Sequence, residues 1–451
     1  MSRPVGVPPA PASELPLRLT VERLVHGGHG LARPGGEVIL LVGEVLPGEE
    51  VLARRLPARA GVAWARVEEV LVSSAQRVPP SCPDQDRCGG CQLRHAAPAA
   101  QLELKLAACR EALGRQGVVL PATTPGAAVG PADGWRCRVR YQLVAPPGEP
   151  GGPPRFGLSG RRGRPLAIAA CRQAHPLAET ARHTVEELLA AAPPREGRRW
   201  SELRVEVQPG PPPAVVLTLR GRGGGAAGRE LAADLGRGPW VQGVRLVDAR
   251  GAALVRGEAR LHLPLRLPTG VVADLVVPSG SFFQANQQGN PALVAAVLGL
   301  GRPQPDEPVL ELYAGAGNLT LPLAACGAPV LAVEGDWSAV RGCLANARRA
   351  GLPGVTAVAQ DLRRGLPPEG RARPGGFPLV VLDPPRGGAA ELLPDLVRLQ
   401  PTRIVYVSCD PPAMARDLAR LQHAGFRLTA LELLDLFPGT FHLEAVALLE
   451  R

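Results

Sequence analysis

Hydrophobic positions in this 451-residue chain change their rhythm twice. From about Ser281 onward they come as near-continuous runs of four to eight residues: "PVLELYAG", "PVLAVEGD", "GVTAVAQD", "PLVVLDPP", "RIVYVSCD" and a terminal "LEAVALLE". Runs of this kind, separated by helix-length stretches, predict a parallel, doubly wound sheet over residues 281–451, with ligands beyond the carboxyl ends of its strands. From Leu17 to about Val72 the rhythm is shorter: "LRLTVERL", "GEVILLVGEVL", "EEVLARRL" and "GVAWARVEEVL" are broken by Gly and Pro. That pattern predicts a small five-stranded β-barrel of OB type over residues 14–75. Residues 76–280 mix β-like runs, Gly/Pro-rich loops such as "APPGEPGGPPRFG" and a helix predicted over 101–117, stopped by Gly117. This stretch reads as α+β, and its strand order is not predicted. Residues 1–13 are Pro-rich and expected to be disordered.

No apolar run approaches the ~18 to 20 residues of a membrane helix, and the N-terminus lacks the apolar block of a signal peptide. A cytoplasmic, monomeric protein with no membrane partner is expected. The net charge of +10 is unevenly spread: residues 14–75 carry −1, residues 76–280 carry +11 and residues 281–451 carry −1. The basic middle, with "WRCRVRYQL" and "SGRRGRP", suits a polyanion such as RNA. Lys105 is the only lysine; the other 50 basic residues are arginines.

"VLELYAGAGNLTLPLA" (309–324) reads as strand, Gly-x-Gly turn and helix, in which Gly315 and Gly317 let a ligand approach the backbone. Glu334 ends the next strand, 17 residues after Gly317, where a carboxylate can accept both hydroxyls of a ribose. Asp361 ends the third strand, within reach of an adenine amino group. A dinucleotide fingerprint requires a third glycine where Thr320 stands, so S-adenosylmethionine fits better than NAD.

Asp383 ends the fourth strand and is followed by Pro384 and Pro385, which stiffen the exit. Amino-group methyltransferases place an aromatic residue after a similar Asp/Asn-Pro-Pro; here it is Arg386, which argues against amine methylation. The fifth strand delivers Cys409 to the same edge. Thiolate addition at carbon 6 of uracil makes carbon 5 nucleophilic toward a methylsulfonium, after which a base must remove the carbon 5 proton. "FPGTFHLEAVALLE" supplies Glu444, with His442 two positions before it. Cys109, Cys326 and Cys343, on apolar helix-like stretches, read as structural.

"CPDQDRCGGCQLRH" (82–95) holds Cys82, Cys88 and Cys91 in a C-x5-C-x2-C pattern. Three close thiolates with one distant thiolate, Cys171 or alternatively Cys137, favour a [4Fe–4S] cluster over zinc.

Together these residues resemble the RNA uracil-5-methyltransferases, in particular the 23S rRNA type. The similarity covers nearly the whole chain apart from residues 1–13 and the loop-rich parts of 145–265. It implies an N-terminal TRAM domain, carried by "VERLVHGGHGLARPGGEVILLVGEVLPGE", a central [4Fe–4S] domain ligated by Cys82, Cys88, Cys91 and Cys171, and a Rossmann-like S-adenosylmethionine domain. It further implies Gln284, Tyr313, Asn318, Glu334, Asp361 and Asp383 as methyl-donor contacts, Cys409 as nucleophile and Glu444 as base. The implied substrate is 23S rRNA, with tRNA as the alternative. Three positions depart from the family pattern: Asp410 and Cys137 stand where Asn is common, and Glu311 where Asp is common. Cytosine-5 methylation would call for a second cysteine near Asp383, which is missing. A non-catalytic RNA-binding iron–sulfur protein would not require Cys409, Glu444 and the glycine turn.

Overall fold

The computed structural model describes residues 15–122, 125–144, 154–161, 163–192, 199–222, 225–371 and 376–451. The expected disorder of residues 1–13 lies outside them. Six strands, Leu17–Thr20, Arg23–Val25, His29–Ala32, Ile39–Val42, Glu50–Arg59 and Val62–Val72, form one N-terminal sheet in the order first, fifth, sixth, fourth, third, second. Leu19, Ile39, Leu41, Val51 and Ala65 fill its core. The sequence pattern predicts five strands, one fewer than the six observed; Arg23–Val25, only three residues long, begins inside the single run "LRLTVERL" that also holds Leu17–Thr20. It pairs with His29–Ala32 around Gly27 and Gly28, whose φ values of 95° and 76° need glycine.

A seven-stranded sheet spans the middle of the chain, with Arg138–Val144, Trp200–Gln208 and Ala214–Gly221 as its inner strands. Helices Pro176–Ala191 and Gly225–Leu235 pack on it, burying Val185 and Leu189 against Leu203 and Val205. The hairpin Arg260–Arg266/Val272–Pro278 leads onward to the last sheet.

That last sheet has eight strands: β1 (Gly126–Ala128), β2 (Val309–Leu312), β3 (Val330–Glu334), β4 (Val355–Ala359), β5 (Leu379–Leu382), β6 (Arg403–Ser408), β7 (Arg427–Asp435) and β8 (Glu444–Glu450). Their order is β4-β3-β2-β5-β6-β8-β7-β1. The five strands from β4 to β6 are parallel, as their unbroken apolar runs predict, whereas β8 lies antiparallel between β6 and β7. The strand order reverses between β2 and β5, which opens a crevice at their carboxyl ends.

The segment placed by sequence at the start of the central region packs elsewhere. Helix α1 (Pro98–Arg115) buries Leu106, Cys109 and Leu113 in the same core as Leu418, Leu421 and Leu433, and β1 runs parallel to β7. A Cβ on Gly126 would stand 2.6 Å from Leu106 Cδ2, so any larger residue here requires the Leu106 side chain to shift. Among the described residues, no helix is long and apolar enough to cross a membrane.

Candidate active site

The nucleophile candidate owes its position to a strand end and a helix cap. β6 stops at Ser408, and helix α2 (Pro411–His423) starts with two prolines at its first turn. Asp410 is its N-cap, its Oδ1 accepting from Ala413 N at 3.0 Å. Asp410 N donates to Ser408 Oγ at 3.1 Å. Cys409 is thus held half-buried between two fixed neighbours.

A cavity of about 790 Å³ opens at this edge and brings Cys409, Glu444, Gln284, Tyr313, Gly315, Glu334 and Asp383 together. A narrower cleft adjoins it, lined by Glu311 and Asn318 as well as by Gln284, Tyr313, Gly315 and Asp383. Asn318 exchanges hydrogen bonds of 2.7 and 2.9 Å with Asn290. The turn after β2 depends on its glycines: Gly317 has φ 105°, and a Cβ there would meet Leu321 Cδ1 at 2.6 Å. Glu334 braces this turn, accepting from Gly315 N at 3.0 Å and from Asp336 N at 2.8 Å. Asp361 lies outside the cavity walls and binds Arg363 through Nε and Nη2 at 3.0 and 2.8 Å.

Burial dominates the electrostatics. It pushes Asp383 up to about 7 and, with Asp383 and Glu334 nearby, Glu311 up to about 8. Glu311 Oε2 is buried with no hydrogen-bond partner among the described residues. Glu444 is raised well above the carboxylate range by burial and by Asp383. Burial and the charge of Glu444 push the Cys409 thiol up to about 12, against which the Arg386 guanidinium acts. Arg386 Nη2 donates to His442 Nε2 at 3.0 Å. His442 is held neutral, its pKa lowered to about 3 by burial and then by Arg386.

A second cavity, of about 240 Å³, is lined by Cys82, Cys88, Cys91 and Cys171. Gly90 N points at Cys88 Sγ at 3.4 Å and Arg94 Nε at Cys91 Sγ at 3.3 Å. Burial pushes the Cys91 thiol up to about 11. Cys137 is absent from these walls; it is buried with its thiol toward Trp135 O. Cys109 and Cys343 are in the core and Cys326 is half-buried. Among the described residues, no three His, Cys, Asp or Glu side chains are arranged to hold a metal ion.

A family model described as tRNA (Uracil-5-)-methyltransferase matches residues 376–451. A protein of Alkalilimnicola ehrlichii named 23S rRNA (uracil(1939)-C(5))-methyltransferase RlmD is 35% identical over 454 aligned residues, covering 97% of each chain. The chain belongs to the RNA uracil-5-methyltransferase family. A relative of the same name from Chromohalobacter salexigens is 36% identical, over 96% of this chain and 89% of that protein. Among solved structures, Pyrococcus abyssi tRNA (uracil-54, C5)-methyltransferase in complex with S-adenosyl-L-homocysteine matches 96% of this chain and 100% of its own, with TM-score 0.72 and 20% identity. At that identity the likeness establishes a shared fold.

For a member of the RNA uracil-5-methyltransferase family, several residues at the site were not legible in sequence. Arg386 reads there only as a missing aromatic. His26, from the N-terminal turn, stacks edge-on against Phe441 with centroids 4.8 Å apart, and its Nε2 lies 3.7 Å from Asp410 Oδ2. Lys105 is buried, its Nζ 2.6 Å from Asp435 Oδ1 and 3.0 Å from Phe437 O, just ahead of His442. Its signal was available: one lysine in a chain that otherwise uses arginine.

Proposed function

We propose that this protein methylates carbon 5 of a uridine in 23S rRNA, with S-adenosylmethionine as the methyl-donating substrate. The observation that carries the reading is that Cys409 and Glu444, 35 residues apart in sequence, line one cavity with the glycine turn after β2. The full-length relatives at 35% and 36% identity are named for 23S rRNA, which favours rRNA over the tRNA of the more distant structural neighbour. A ribosomal substrate agrees with a cytoplasmic enzyme.

The donor cleft suits a cation. Glu311, Glu334 and Asp383 gather at the reversal of strand order, and a sulfonium with its ammonium group is the partner that lets buried carboxylates ionise. Gln284, Tyr313, Gly315, Gly317, Asn318, Glu334 and Asp383 would hold it, with Asp361 at the rim. The donor supplies a methyl group bonded to positive sulfur. Cys409 adds as thiolate to carbon 6 of the uracil, the electron pair of the 5,6 double bond attacks the methyl group from carbon 5, and the methyl–sulfur bond breaks toward the donor's sulfur, which leaves as the neutral thioether of S-adenosylhomocysteine. Glu444 then takes the proton from carbon 5, the C6–S bond breaks toward sulfur, and the double bond reforms. Arg386 stabilises the negative charge that passes between sulfur and the ring.

A uridine must leave its stack to reach Cys409, and Phe282, 62% exposed at the cavity mouth, offers a face to receive it. Arg136 and Arg138 line the same cavity and would engage the flanking phosphates. The N-terminal sheet, read as an OB-like TRAM domain, approaches the site through His26, whose ring packs edge-on against Phe441. The four-thiol cavity fits a [4Fe–4S] cluster: its donors are soft sulfur, backbone N–H and guanidinium groups point at two of them, and the cavity is wider than one ion requires.

Trapping tests the mechanism. RNA containing 5-fluorouridine should form a stable covalent complex with the wild-type protein, because fluorine does not leave as a proton. Cys409→Ser should form none; turnover by that variant at the wild-type rate would end the proposal.

A further inference from the structure

The segment Phe437–His442 joins β7 to β8 and ends two residues before Glu444. Its outward hydrogen bonds lead to the cysteine-bearing loops, to α1, where Lys105 Nζ donates to Phe437 O and Gly439 N to Gln101 Oε1, and to Arg386. Gln92 N and Leu93 N both donate to Gly439 O, at 3.1 and 3.0 Å. The Gln92 side chain bridges the two loops: Nε2 donates to Gly89 O at 2.8 Å while Oε1 accepts from Phe441 N at 3.4 Å. Gln173 Nε2 donates to Pro438 O at 3.2 Å. Arg94, whose Nε faces Cys91 Sγ, passes close to Gly439, where a Cβ would stand 3.2 Å from its Cγ and Nε. Gly439 has φ 79°, a backbone conformation that favours glycine, and a Cβ there would also require Arg94 to shift by a few tenths of an ångström.

The sequence neighbours of these anchors matter. Gly89 lies between Cys88 and Cys91, Gln92 directly follows Cys91, and Gln173 is two residues beyond Cys171. A change in how the four thiols are held therefore moves the groups that hold Phe437–His442. Glu444 has to reach a single proton on a bound ring, a task in which a displacement near 1 Å costs on the order of a hundredfold in rate.

We propose that Gln92 and Gln173 are positioning residues that transmit the state of the four-thiol site to Glu444, so that closing this site around its cluster fixes the base. The proposal rests on Glu444 being the base, and it separates proton removal from nucleophilic attack. Cys409 lies between β6 and α2, and among the described residues neither element is hydrogen-bonded to Gln92 or Gln173, so its attack does not depend on their amides.

The test uses the full-length cluster-loaded protein and Gln92→Met and Gln173→Met variants, which keep side-chain volume and lose the amide bonds. Iron and sulfide content and the thermal unfolding midpoint establish that each variant is loaded and folded. Both should form the 5-fluorouridine adduct as fast as wild type. With ordinary uridine RNA the Gln92→Met variant should instead accumulate methylated covalent complex, because elimination is slowed about tenfold or more. Hydrogen exchange at Phe437–His442 should speed up by about tenfold. The wild-type protein stripped of iron by oxidant and chelator should show the same local rise, a readout independent of turnover and of any variant's folding. Unchanged exchange on iron removal overturns the proposal, as does an equal loss of adduct formation and proton removal in a loaded Gln92→Met variant. Absence of the fluorouridine adduct in wild type is a different result, one that rejects the functional reading itself.

Discussion

Around Cys409 the decisive residues are acids held in protonation states that water would not allow. Glu444 is buried beside Asp383, and two carboxylates so placed do not both ionise readily. Removing the proton acceptor alone should stop the reaction after methyl transfer. A Glu444→Gln variant is expected to lose turnover by at least about a hundredfold and to retain ordinary uridine RNA as a methylated, denaturation-resistant complex. Mass spectrometry of the complex decides it; a variant that turns over without accumulating adduct removes Glu444 from the role. Glu311 and Asp383 carry a second prediction. Their values of about 8 and about 7 lie above the ordinary carboxylate range, so both gain protons as pH falls through that window. A cationic donor binds the ionised forms, and protons compete with it. Affinity for S-adenosylmethionine should therefore fall as pH is lowered from 9 to 6, by up to about tenfold per unit for each coupled group. S-adenosylhomocysteine, which lacks the sulfonium charge, should weaken less. Calorimetry at several pH values checks this; affinity that is flat or rises toward low pH contradicts it.

At the scale of elements, α1 and the end of β7 are tied by a buried ion pair, Lys105 with Asp435, whose side chains are 1% and 5% exposed. Burial lowers the lysine's pKa and the nearby carboxylate opposes that shift. Replacing one partner leaves the other charge without compensation. Lys105→Met should cost about 3 to 5 kcal/mol, whereas Lys105→Met with Asp435→Asn should recover much of it, because the amide oxygen still accepts from Phe437 N. Denaturant midpoints of the two variants measure the difference, and equal losses would show that the pair is not the cause. The same elements mark what sequence could convey. β2 to β6 were legible because each is an apolar run ending at a polar residue, so Glu334, Asp383 and Cys409 could be placed at one edge before any coordinates. β1 was not: "GAA" carries no period, and it becomes a strand only because β7 offers an open edge and Leu106 leaves room for glycine. The docking of α1 against the last sheet is a tertiary event with no local signature, which is why Lys105 stood out only as an oddity of composition.

Across the whole molecule two of the three charge blocks, the basic middle and the C-terminal portion, meet at one cavity. The basic stretch contributes Gly89, Gly90, Gln92 and Trp135 as well as Arg136 and Arg138 to a cavity whose remaining walls come from the C-terminal portion, so two guanidinium groups stand in the same cavity as Cys409. This convergence was only half legible: the charge excess was visible in the chain, but its position beside the thiol depends on the isolated bridges from Arg136 to Ala174 and Asn286. Arg136 also borders the thiol cavity, so it stands where the two sites adjoin. Its Nε donates to Arg138 O at 3.2 Å. If its guanidinium charge meets a phosphate, each such contact releases condensed counterions, and the logarithm of affinity should fall with the logarithm of salt concentration at about 0.7 per contact for single-stranded RNA. Arg136→Gln should weaken RNA binding at low salt, reduce that slope by about one contact, and leave S-adenosylmethionine affinity unchanged. Filter binding over a salt series, with calorimetry for the donor, separates this from a folding defect. An unchanged slope with weaker binding would mean that Arg136 shapes the cavity wall without touching the RNA backbone.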